Sequence, residues 1–591
     1  MHSILAITPF GAAMQRAWRG LSAAVIIISS ILPLCTASHA QIAGVRKNMG
    51  ENVNTQWDDI NPIISADGRT LYFARKNYPL NIHANDKDIF GRKITNNKTL
   101  EIWYSQLQKD STWSFAQNLR ELNPQPSNGV CTILPDNNTA LYLWAYDEQG
   151  NATYGLIHRT ANGWTKPVPL HIKNFHYIAN TTISGSLASD GKTLMLAYKT
   201  PGCQAFNNTG VLDYADMNII GMNIYVSFLE DETTNTWSEP KNLGNSINTQ
   251  YSEFEPLLAP DGVTLFFSSA RPGGIGDVDI YMAQRLDSTW TNWTQPVNLG
   301  EGFNIPGYNA INSITASGDY AYTTGMVENP TKNMDIFRVK MPERFHIKPV
   351  VLVKGRVFAR LQTPKQQTAE ATSAKTIGKS KKNAATAPDP AEPILPDTTK
   401  PLDAEIIYER LSDGKQMGIA HTNPRTGEYE IALPCGTNYG FRAEREGYLP
   451  VNENLDLSAI TQYQELNRDI ILTPYAAGND IVLHNLFFDQ DKADIRAESY
   501  PELSRFAGFM KQHATATVEI DGHTDDVGTD DYNNALSLRR AEAVVKYLAG
   551  VGVNAKRMKA KGFGKSQPVA SNDTDEGKQK NRRVVMKLIS K

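Results

Sequence analysis

The densest set of chemically capable side chains lies near the carboxyl end of the chain. Residues 522–528 read Gly-His-Thr-Asp-Asp-Val-Gly, and residues 532–540 read Tyr-Asn-Asn-Ala-Leu-Ser-Leu-Arg-Arg. Asp525 lies fifteen positions before Arg540, and Asn533 lies seven before it, so Asn533 and Arg540 can share one helix face. The acid and the base could hold a ligand, or Asp525 could cap the helix and pair with Arg540 structurally. The spacing alone leaves both interpretations open.

Hydrophobic patterning predicts the elements that position these residues. An apolar stripe at residues 503–510 indicates an amphipathic helix, and Ser499 and Glu502 have the spacing of a capping box at its start. A second stripe at residues 541–548 indicates another helix. The predicted strands are residues 481–489, 517–521 and 584–589. This pattern favours an α/β unit with one helix layer over a sheet.

Further motifs surround this unit, namely Gly562-Phe-Gly564, Asn572-Asp-Thr574 and Asn581-Arg-Arg583. With them, residues 478–591 resemble the OmpA C-terminal-like family of peptidoglycan-binding domains. The resemblance implies binding of the diaminopimelate residue of the peptide stem, whose side chain ends in an ammonium and a carboxylate on one carbon. It places the aspartate that takes the ammonium at Asp525 and the arginine that takes the carboxylate at Arg540.

The resemblance also assigns residues that line or brace the site. These are Asn533, Thr524, Asp489 and Arg582. Arg539 adjoins Arg540, but neighbouring helix residues project about 100° apart, so only one of them can face the pocket. The register on Leu536 and Ser537 selects Arg540.

Three other motifs do not fit the sites they suggest. Gly564-Lys-Ser566 ends like a phosphate-binding loop, but Lys559 stands where that loop needs glycine. Asp489-x-Asp491 lacks the central glycine of a calcium loop. His171 and His176 lack further ligands at zinc spacing. We therefore expect no catalytic residues, no cofactor and no metal.

A repeated unit fills residues 50–345: an apolar strand, an Asp-Gly-type turn and a second apolar strand. The turns fall at Asp67, Asp136, Asp190, Asp261 and Gly318. Four strands per unit in a radial array would bury the sheet edges, which predicts a five-bladed β-propeller. Residues 271–281, Arg-Pro-Gly-Gly-Ile-Gly-Asp-Val-Asp-Ile-Tyr, resemble the PD40, or WD40-like, propellers. Since the aspartates recur at one place in each repeat, we interpret them as turn residues rather than metal ligands or glycosidase carboxylates.

A small β-domain is predicted between the repeats and the α/β unit. Residues 350–475 contain alternating strands and resemble a carboxypeptidase-regulatory-like β-sandwich. Residues 361–400 interrupt it and are rich in Ala, Thr, Lys, Gln and Pro, so a disordered insertion is expected there. The β-domain shows no nucleophile–base or metal spacing and is interpreted as a spacer.

The first 40 residues have the pattern of a secretory signal peptide. Arg16 and Arg19 precede an apolar core, and Ser38 and Ala40 fit a cleavage site before Gln41. Cys35 is an alternative lipidation site, although the bulky residue before it departs from the lipoprotein pattern. The mature chain is expected in the periplasm, associated with the outer membrane.

Length and composition set the remaining limits. A chain of 591 residues predicts several domains, and four cysteines exclude a disulfide-built scaffold while leaving a Cys131–Cys203 bridge open. The formal net charge of −3 gives no case for nucleic-acid binding. The prediction is a multidomain, mainly β chain.

The order of propeller, regulatory-like β-domain and OmpA-like domain is similar to that of PorE-type proteins of the type IX secretion system. Those proteins also carry a helical repeat domain ahead of the propeller, where this chain has only residues 41–57. The resemblance implies a non-catalytic anchor that binds peptidoglycan and presents its propeller to envelope or secretion proteins. The alternatives are a general tether between outer membrane and wall, and a propeller glycosidase with two inward carboxylates about 5–10 Å apart.

Limited proteolysis tests the predicted insertion. We expect cleavage within residues 361–400 before cleavage in the flanking strands, because no burial would protect that backbone. Mass spectrometry of the first fragments locates the cut, and an initial cut elsewhere would show that the segment is packed.

Overall fold

The structure, a computed structural model, describes residues 46–83, 99–123, 129–146, 152–176, 183–200, 220–326, 333–360, 399–483, 486–489 and 491–590. The predicted signal peptide, Cys35 and Cys203 lie outside the described residues, as does the predicted insertion up to residue 398. Thirty-seven strands and three α-helices make the described part mainly β. None of its helices has the length and apolar character needed to span a bilayer.

Strands that are antiparallel except for the β11–β15 pair build five sheets from residues 46–340. The strands are β1 (Arg46–Asn48), β2 (Asp58–Ile64), β3 (Thr70–Lys76), β4 (Leu100–Gln106), β5 (Gln117–Asn118), β6 (Gly129–Ile133), β7 (Thr139–Tyr146), β8 (Ala152–Thr160), β9 (Gly163–Trp164), β10 (Val168–Pro169), β11 (His171–Ile172), β12 (Ser184–Leu187), β13 (Thr193–Tyr198), β14 (Asn223–Asp231), β15 (Thr236–Trp237), β16 (Lys241–Asn242), β17 (Glu253–Leu258), β18 (Thr264–Ser269), β19 (Asp279–Gln284), β20 (Val297–Asn298), β21 (Asn309–Ile314), β22 (Tyr320–Met326) and β23 (Met334–Lys340). The successive sheets contain β2–β5, β6–β10, β11–β16, β17–β20, and β21–β23 with β1.

The repeated aspartates close turns within these sheets. Asp136, Asp190 and Asp261 each accept hydrogen bonds from the backbone N–H groups two and three residues later. Each also accepts from the hydroxyl of the threonine three residues on. Asp67 accepts from the Arg69 N–H and the Ser65 hydroxyl. These carboxylates hold their own turns, as the sequence predicted.

Neighbouring sheets contact one another through their innermost strands. The Ser186 hydroxyl donates to the Pro256 carbonyl at 2.6 Å, which joins the third sheet to the fourth. The Ile64 N–H donates to the Ser313 hydroxyl at 3.0 Å, which joins the first sheet to the fifth. The innermost strands of all five sheets line one cavity of about 60 Å³.

The first strand of the described chain completes the last sheet. β1 pairs antiparallel with β23, and Arg46 Nη1 donates to the Phe303 carbonyl at 3.0 Å and to Asn309 Oδ1 at 3.3 Å. The guanidinium carbon lies 3.8 Å from the centre of the Phe337 ring. A Cβ on Gly325 would collide with this guanidinium, so the glycine leaves the room that Arg46 fills.

Two further sheets follow in residues 350–474. Their strands are β24 (Val350–Arg360), β25 (Thr399–Pro401), β26 (Glu405–Arg410), β27 (Lys415–His421), β28 (Glu428–Pro434), β29 (Asn438–Glu444), β30 (Tyr448–Leu449), β31 (Val451–Asp456), β32 (Gln464–Asn467) and β33 (Ile470–Pro474). β24 anchors one sheet with β25, β28, β30, β32 and β33, and the other has the order β27-β26-β29-β31. Buried side chains from both sheets form one core. Because β25 includes Thr399 and Lys400, the predicted insertion extended two residues too far.

The C-terminal α/β unit has a four-stranded sheet and three helices. Its elements are β34 (Asp480–Val482), α1 (Tyr500–Gln512), β35 (Thr517–Gly522), α2 (Asp530–Gly550), β36 (Met558–Gly562), α3 (Asp575–Asn581) and β37 (Val584–Ser590). The strand order is β34-β37-β35-β36. The apolar stripes of α1 and α2 share a core with the strands, as their periodicity predicted. The capping box is wrong: the Ser499 hydroxyl accepts from the Phe487 N–H at 2.7 Å and does not cap α1.

Substitution of Arg46 tests the closing strand. Arg46→Ala removes two hydrogen bonds and a stacking contact, and it leaves acceptors unpaired, so we expect a loss of about 1–3 kcal/mol. The measurement is the midpoint of the first thermal unfolding transition. Lys47→Ala, on the same strand but exposed, is the matched control. Equal midpoints for the two variants would contradict a stabilising role for Arg46.

Candidate functional site

Helix α2 presents Arg540 to the interior and Arg539 to solvent. Arg540 is 7% exposed, whereas Arg539 is exposed. Asn533 is buried on the same face as Arg540. The first turn of α2 is capped by Thr529, whose hydroxyl accepts from the Tyr532 N–H at 3.3 Å. The buried face of α2 therefore carries Arg540 rather than Arg539, and Asp525 is not the cap of this helix.

Asp525 lies three residues beyond the end of β35 and is 9% exposed. Its Oδ2 accepts a hydrogen bond from Arg582 Nη1 at 2.6 Å, and its Oδ1 accepts from the Val527 N–H at 3.2 Å. Arg582 follows α3, so the ion pair joins two loops that are 57 residues apart. The acid thus pairs with Arg582, not with Arg540, and the structural pairing considered from the sequence is absent.

The Arg540 guanidinium is held by the backbone of the loop before α1. Its Nε donates to the Lys492 carbonyl at 3.0 Å, and its Nη2 donates to the Asp489 carbonyl at 3.5 Å. Its Cζ lies 5.0 Å from the centre of the Phe488 ring. Within the described residues, Nη1 has no hydrogen-bond partner. Arg540 is therefore oriented by neutral groups and keeps a donor edge for an anion.

Charges around Arg540 act in both directions. Burial and the nearby Arg582 lower the pKa of Arg540, while Asp491 and Asp525 oppose that shift. The Asp489 side chain pairs with the exposed Lys492 at 3.3 Å, so Asp489 reaches Arg540 only through its carbonyl. Asp489 therefore contacts Arg540 through its backbone, and its predicted lining of a ligand site stays a prediction.

Asn533 and Thr524 brace the loop that carries Asp525. Asn533 Nδ2 donates to the Val527 carbonyl at 3.0 Å. The Thr524 hydroxyl donates to the Asp525 carbonyl at 2.9 Å, and the Thr524 N–H donates to the Gly564 carbonyl at 2.9 Å. Both side chains donate hydrogen bonds to backbone carbonyls of this loop and so orient Asp525.

Glycines let α2 approach the strand ends closely. A Cβ on Gly522 would collide with the Ser537 carbonyl oxygen, and one on Gly562 would lie 2.5 Å from the Leu538 nitrogen. The Ser537 hydroxyl accepts from the Gly564 N–H at 2.9 Å. This close approach places the inner face of α2 over the loop that follows β35.

Asn581 is a bracing residue whose role the sequence did not reveal. It is fully buried, and its Oδ1 accepts from the N–H groups of Val569 and Ala570 at 2.7 and 3.0 Å. Its Nδ2 donates to the Ala570 carbonyl and to Asn572 Oδ1, both at 2.8 Å. The sequence shows the motif at residues 581–583. It does not show that Asn581 bonds to the loop of residues 569–572.

The cavity at the centre of the five sheets provides no comparable charged site. Its lining includes Cys131 and Asn312, and no aspartate or glutamate is among the described residues that line it. The two inward carboxylates required of a propeller glycosidase are therefore not found among the described residues that line this cavity. Glu255, whose pKa burial raises to about 7, is a single carboxyl near Cys131.

Comparison with known proteins identifies the C-terminal unit. The family model described as the OmpA family matches residues 487–582, which contain every residue of the site above. These residues form an OmpA-family domain. The match covers the site loops, α1, α2 and α3, and it confirms the coarse expectation for this end of the chain.

Curated relatives share this part of the chain. Outer membrane porin F of Pseudomonas aeruginosa is 48% identical over 194 residues, which cover 30% of this chain and 55% of the porin. The peptidoglycan-associated lipoprotein of Agrobacterium fabrum is 41% identical over 103 residues, 17% of this chain and 58% of the lipoprotein. The chain thus spans little more than half the length of either relative.

Solved structures include a peptidoglycan-associated lipoprotein from Burkholderia pseudomallei. It is 34% identical, and the alignment covers 17% of this chain and 87% of that chain with a TM-score of 0.17.

Alanine at Gly522 tests the close contact between α2 and the sheet. Because the new Cβ would meet the Ser537 carbonyl, Gly522→Ala should destabilise the domain by about 1–3 kcal/mol. Gly508→Ala in α1 is the control, since its Cβ meets no atom within 4 Å and should stabilise the helix by about 0.4–1 kcal/mol. Thermal unfolding of both variants provides the comparison, and a Gly522→Ala variant as stable as wild type would contradict the packing.

Proposed function

We propose that this chain is a non-catalytic envelope protein whose OmpA-family domain binds the diaminopimelate residue of peptidoglycan. The proposal rests on two buried side chains that do not bond to each other. Arg540 is held by backbone carbonyls and keeps one donor edge free, and Asp525 pairs with Arg582. Opposite charges at fixed separation suit a ligand that carries an ammonium and a carboxylate on one carbon. Diaminopimelate ends in that arrangement.

Each half of the site has a separate task. The Asp525 carboxylate accepts from the ligand ammonium, while Arg540 donates through Nη1 and the free side of Nη2 to the ligand carboxylate. Charge-assisted bonds of this kind strengthen when water is excluded, and both residues are buried. Asn533, Thr524, the Asp489 carbonyl and Arg582 hold the two groups in place.

The relatives support an envelope location. One is by name a protein of the outer membrane and another is by name associated with peptidoglycan. On this basis we place the mature chain in the periplasm, bound to the wall and close to the outer membrane. The signal peptide at residues 1–40 and lipidation of Cys35 as its alternative belong to this proposal.

The five sheets of residues 46–340 are proposed to be the blades of a propeller. The support is the antiparallel strands at the core of each sheet, the contacts between sheets through their innermost strands, and the return of β1 to the last sheet. We assign residues 50–345 to the propeller, 350–475 to a carboxypeptidase-regulatory-like β-sandwich, and 478–591 to the OmpA-like domain.

The propeller would then offer the surface for other envelope proteins. A role in type IX secretion and a role as a general tether differ only in the identity of that partner. Purification of partners from the native envelope distinguishes them: secretion components indicate the first role, and abundant outer-membrane proteins alone indicate the second.

Binding to purified peptidoglycan tests the proposed function. Asp525→Ala and Arg540→Ala should each weaken pull-down of the full chain, because each leaves one ligand charge unpaired in a desolvated site. The expected cost is about 2–5 kcal/mol for either variant.

Arg539→Ala is the matched control, since Arg539 adjoins Arg540 but is exposed. It should bind like wild type. Retention of binding by both Asp525→Ala and Arg540→Ala, with their folds intact by circular dichroism, would refute the wall-binding proposal.

A further inference from the structure

The Asp525 carboxylate has a cationic partner within the chain itself. Arg582 Nη1 lies 2.6 Å from Asp525 Oδ2, and the exposed fraction of the side chain is 12% for Asp525 and 38% for Arg582. Arg582 also donates to the side-chain oxygen of Gln579. A ligand ammonium must therefore share Asp525 with a guanidinium that already neutralises it.

Arg582 is fixed by the backbone on which it stands. The preceding Asn581 is fully buried and makes four hydrogen bonds to the loop of residues 569–572. The Arg582 N–H donates to the Lys578 carbonyl at 3.0 Å, which closes the end of α3. The main chain at Arg582 is therefore anchored, which keeps the guanidinium within side-chain reach of Asp525.

Two guanidinium groups therefore flank one carboxylate. Arg582 is close enough to Arg540 to contribute, after burial, to lowering the pKa of Arg540. Asp525, Arg540 and Arg582 together carry a formal charge of +1. Asp525 and Arg540 are buried, whereas the Arg582 side chain is 38% exposed. An incoming group with a positive charge alone meets two cations and a carboxylate that is already paired.

Peptide stems with lysine and peptide stems with diaminopimelate would interact differently with these three charges. A side chain that ends only in an ammonium, as lysine does, brings no anion to offset the two arginines. Diaminopimelate brings a carboxylate with its ammonium, so its anion meets the arginines while its ammonium reaches Asp525. Like charges juxtaposed in a desolvated site cost several kcal/mol, and specificity often depends on such a repulsive element.

We infer that Arg582 is a specificity-determining residue that rejects peptide stems ending in a lysine ammonium and admits those with the ammonium–carboxylate pair of diaminopimelate. This inference rests on the proposed function. It assigns to Arg582 a selective role through Asp525, in addition to its bracing role.

The test compares two tripeptides by isothermal titration calorimetry with the full chain. The probes are L-Ala-γ-D-Glu-meso-diaminopimelate and L-Ala-γ-D-Glu-L-Lys. Wild type should prefer the first by about tenfold or more, which corresponds to about 1.4 kcal/mol. Arg582→Gln should reduce that preference to about threefold or less, mainly through tighter binding of the lysine peptide.

Two further variants make the result decisive. Arg582→Lys keeps the charge and should keep the preference. Arg583→Gln is the matched control, since the neighbouring Arg583 donates to the carbonyls of Asn581 and Gln567 and should leave the preference unchanged.

An unchanged preference in Arg582→Gln, with the diaminopimelate peptide still bound, overturns the inference alone. Equal binding of the two peptides by wild type also overturns the inference and leaves the proposed function standing. Binding of neither peptide by wild type overturns both.

Discussion

The contact between helix α2 and the glycine ends of β35 and β36 determines the geometry of the whole site. Gly522 and Gly562 have no side chains, so the backbone of α2 lies directly against the strand ends. A larger residue at either place would push the helix outward, and Arg540 and Asn533 would move with it. The loop after β35 is bonded on one side to Asn533 and on the other to the Gly564 carbonyl. The separation between acid and base therefore follows from a packing constraint on the sheet rather than from the loop itself.

The charges at the site are arranged so that its acid and its buried base do not neutralise each other. Breaking a buried ion pair costs about 3–5 kcal/mol, so a direct Asp525–Arg540 bond would have to be broken before a ligand could enter. Instead, Asp525 is paired with the more exposed Arg582, and Arg540 is bonded to two neutral carbonyls. Both groups are oriented and partly satisfied, yet each keeps capacity for a further bond. Under the proposed function, a zwitterion would bind without displacing the internal contacts of Arg540.

The sequence predicted those features of the site that depend on local helical periodicity. It did not predict those that depend on tertiary contacts. Helical periodicity identified the core stripes of α1 and α2 and chose Arg540 over Arg539, because burial on a helix follows a fixed 3.6-residue repeat. The capping box at Ser499 was wrong because the serine hydroxyl bonds to Phe487, a tertiary contact twelve residues away. The Asp525–Arg582 pair and the bracing by Asn581 also depend on tertiary contacts.

The same division holds for the five repeated sheets. Their turns were visible because Asp-Gly pairs act locally, and four of the predicted turn positions hold aspartates that bond within their own turns. The pairing of β1 with the last sheet could not be predicted from the sequence. Arg46 and Phe303 are 257 residues apart, and β1 lacks the motif of the repeat.

The number of donors around the carboxylate separates Asp525 from three of the turn aspartates. Asp136, Asp190 and Asp261 each receive two backbone N–H groups and a hydroxyl from the same turn, so the turn itself supplies three donors. Asp525 receives one backbone N–H at 3.2 Å and one guanidinium. A carboxylate has about four lone-pair sites, so two remain for a ligand at Asp525. A count of acidic residues along the sequence cannot separate these cases, because the deciding quantity is the local supply of N–H and O–H groups.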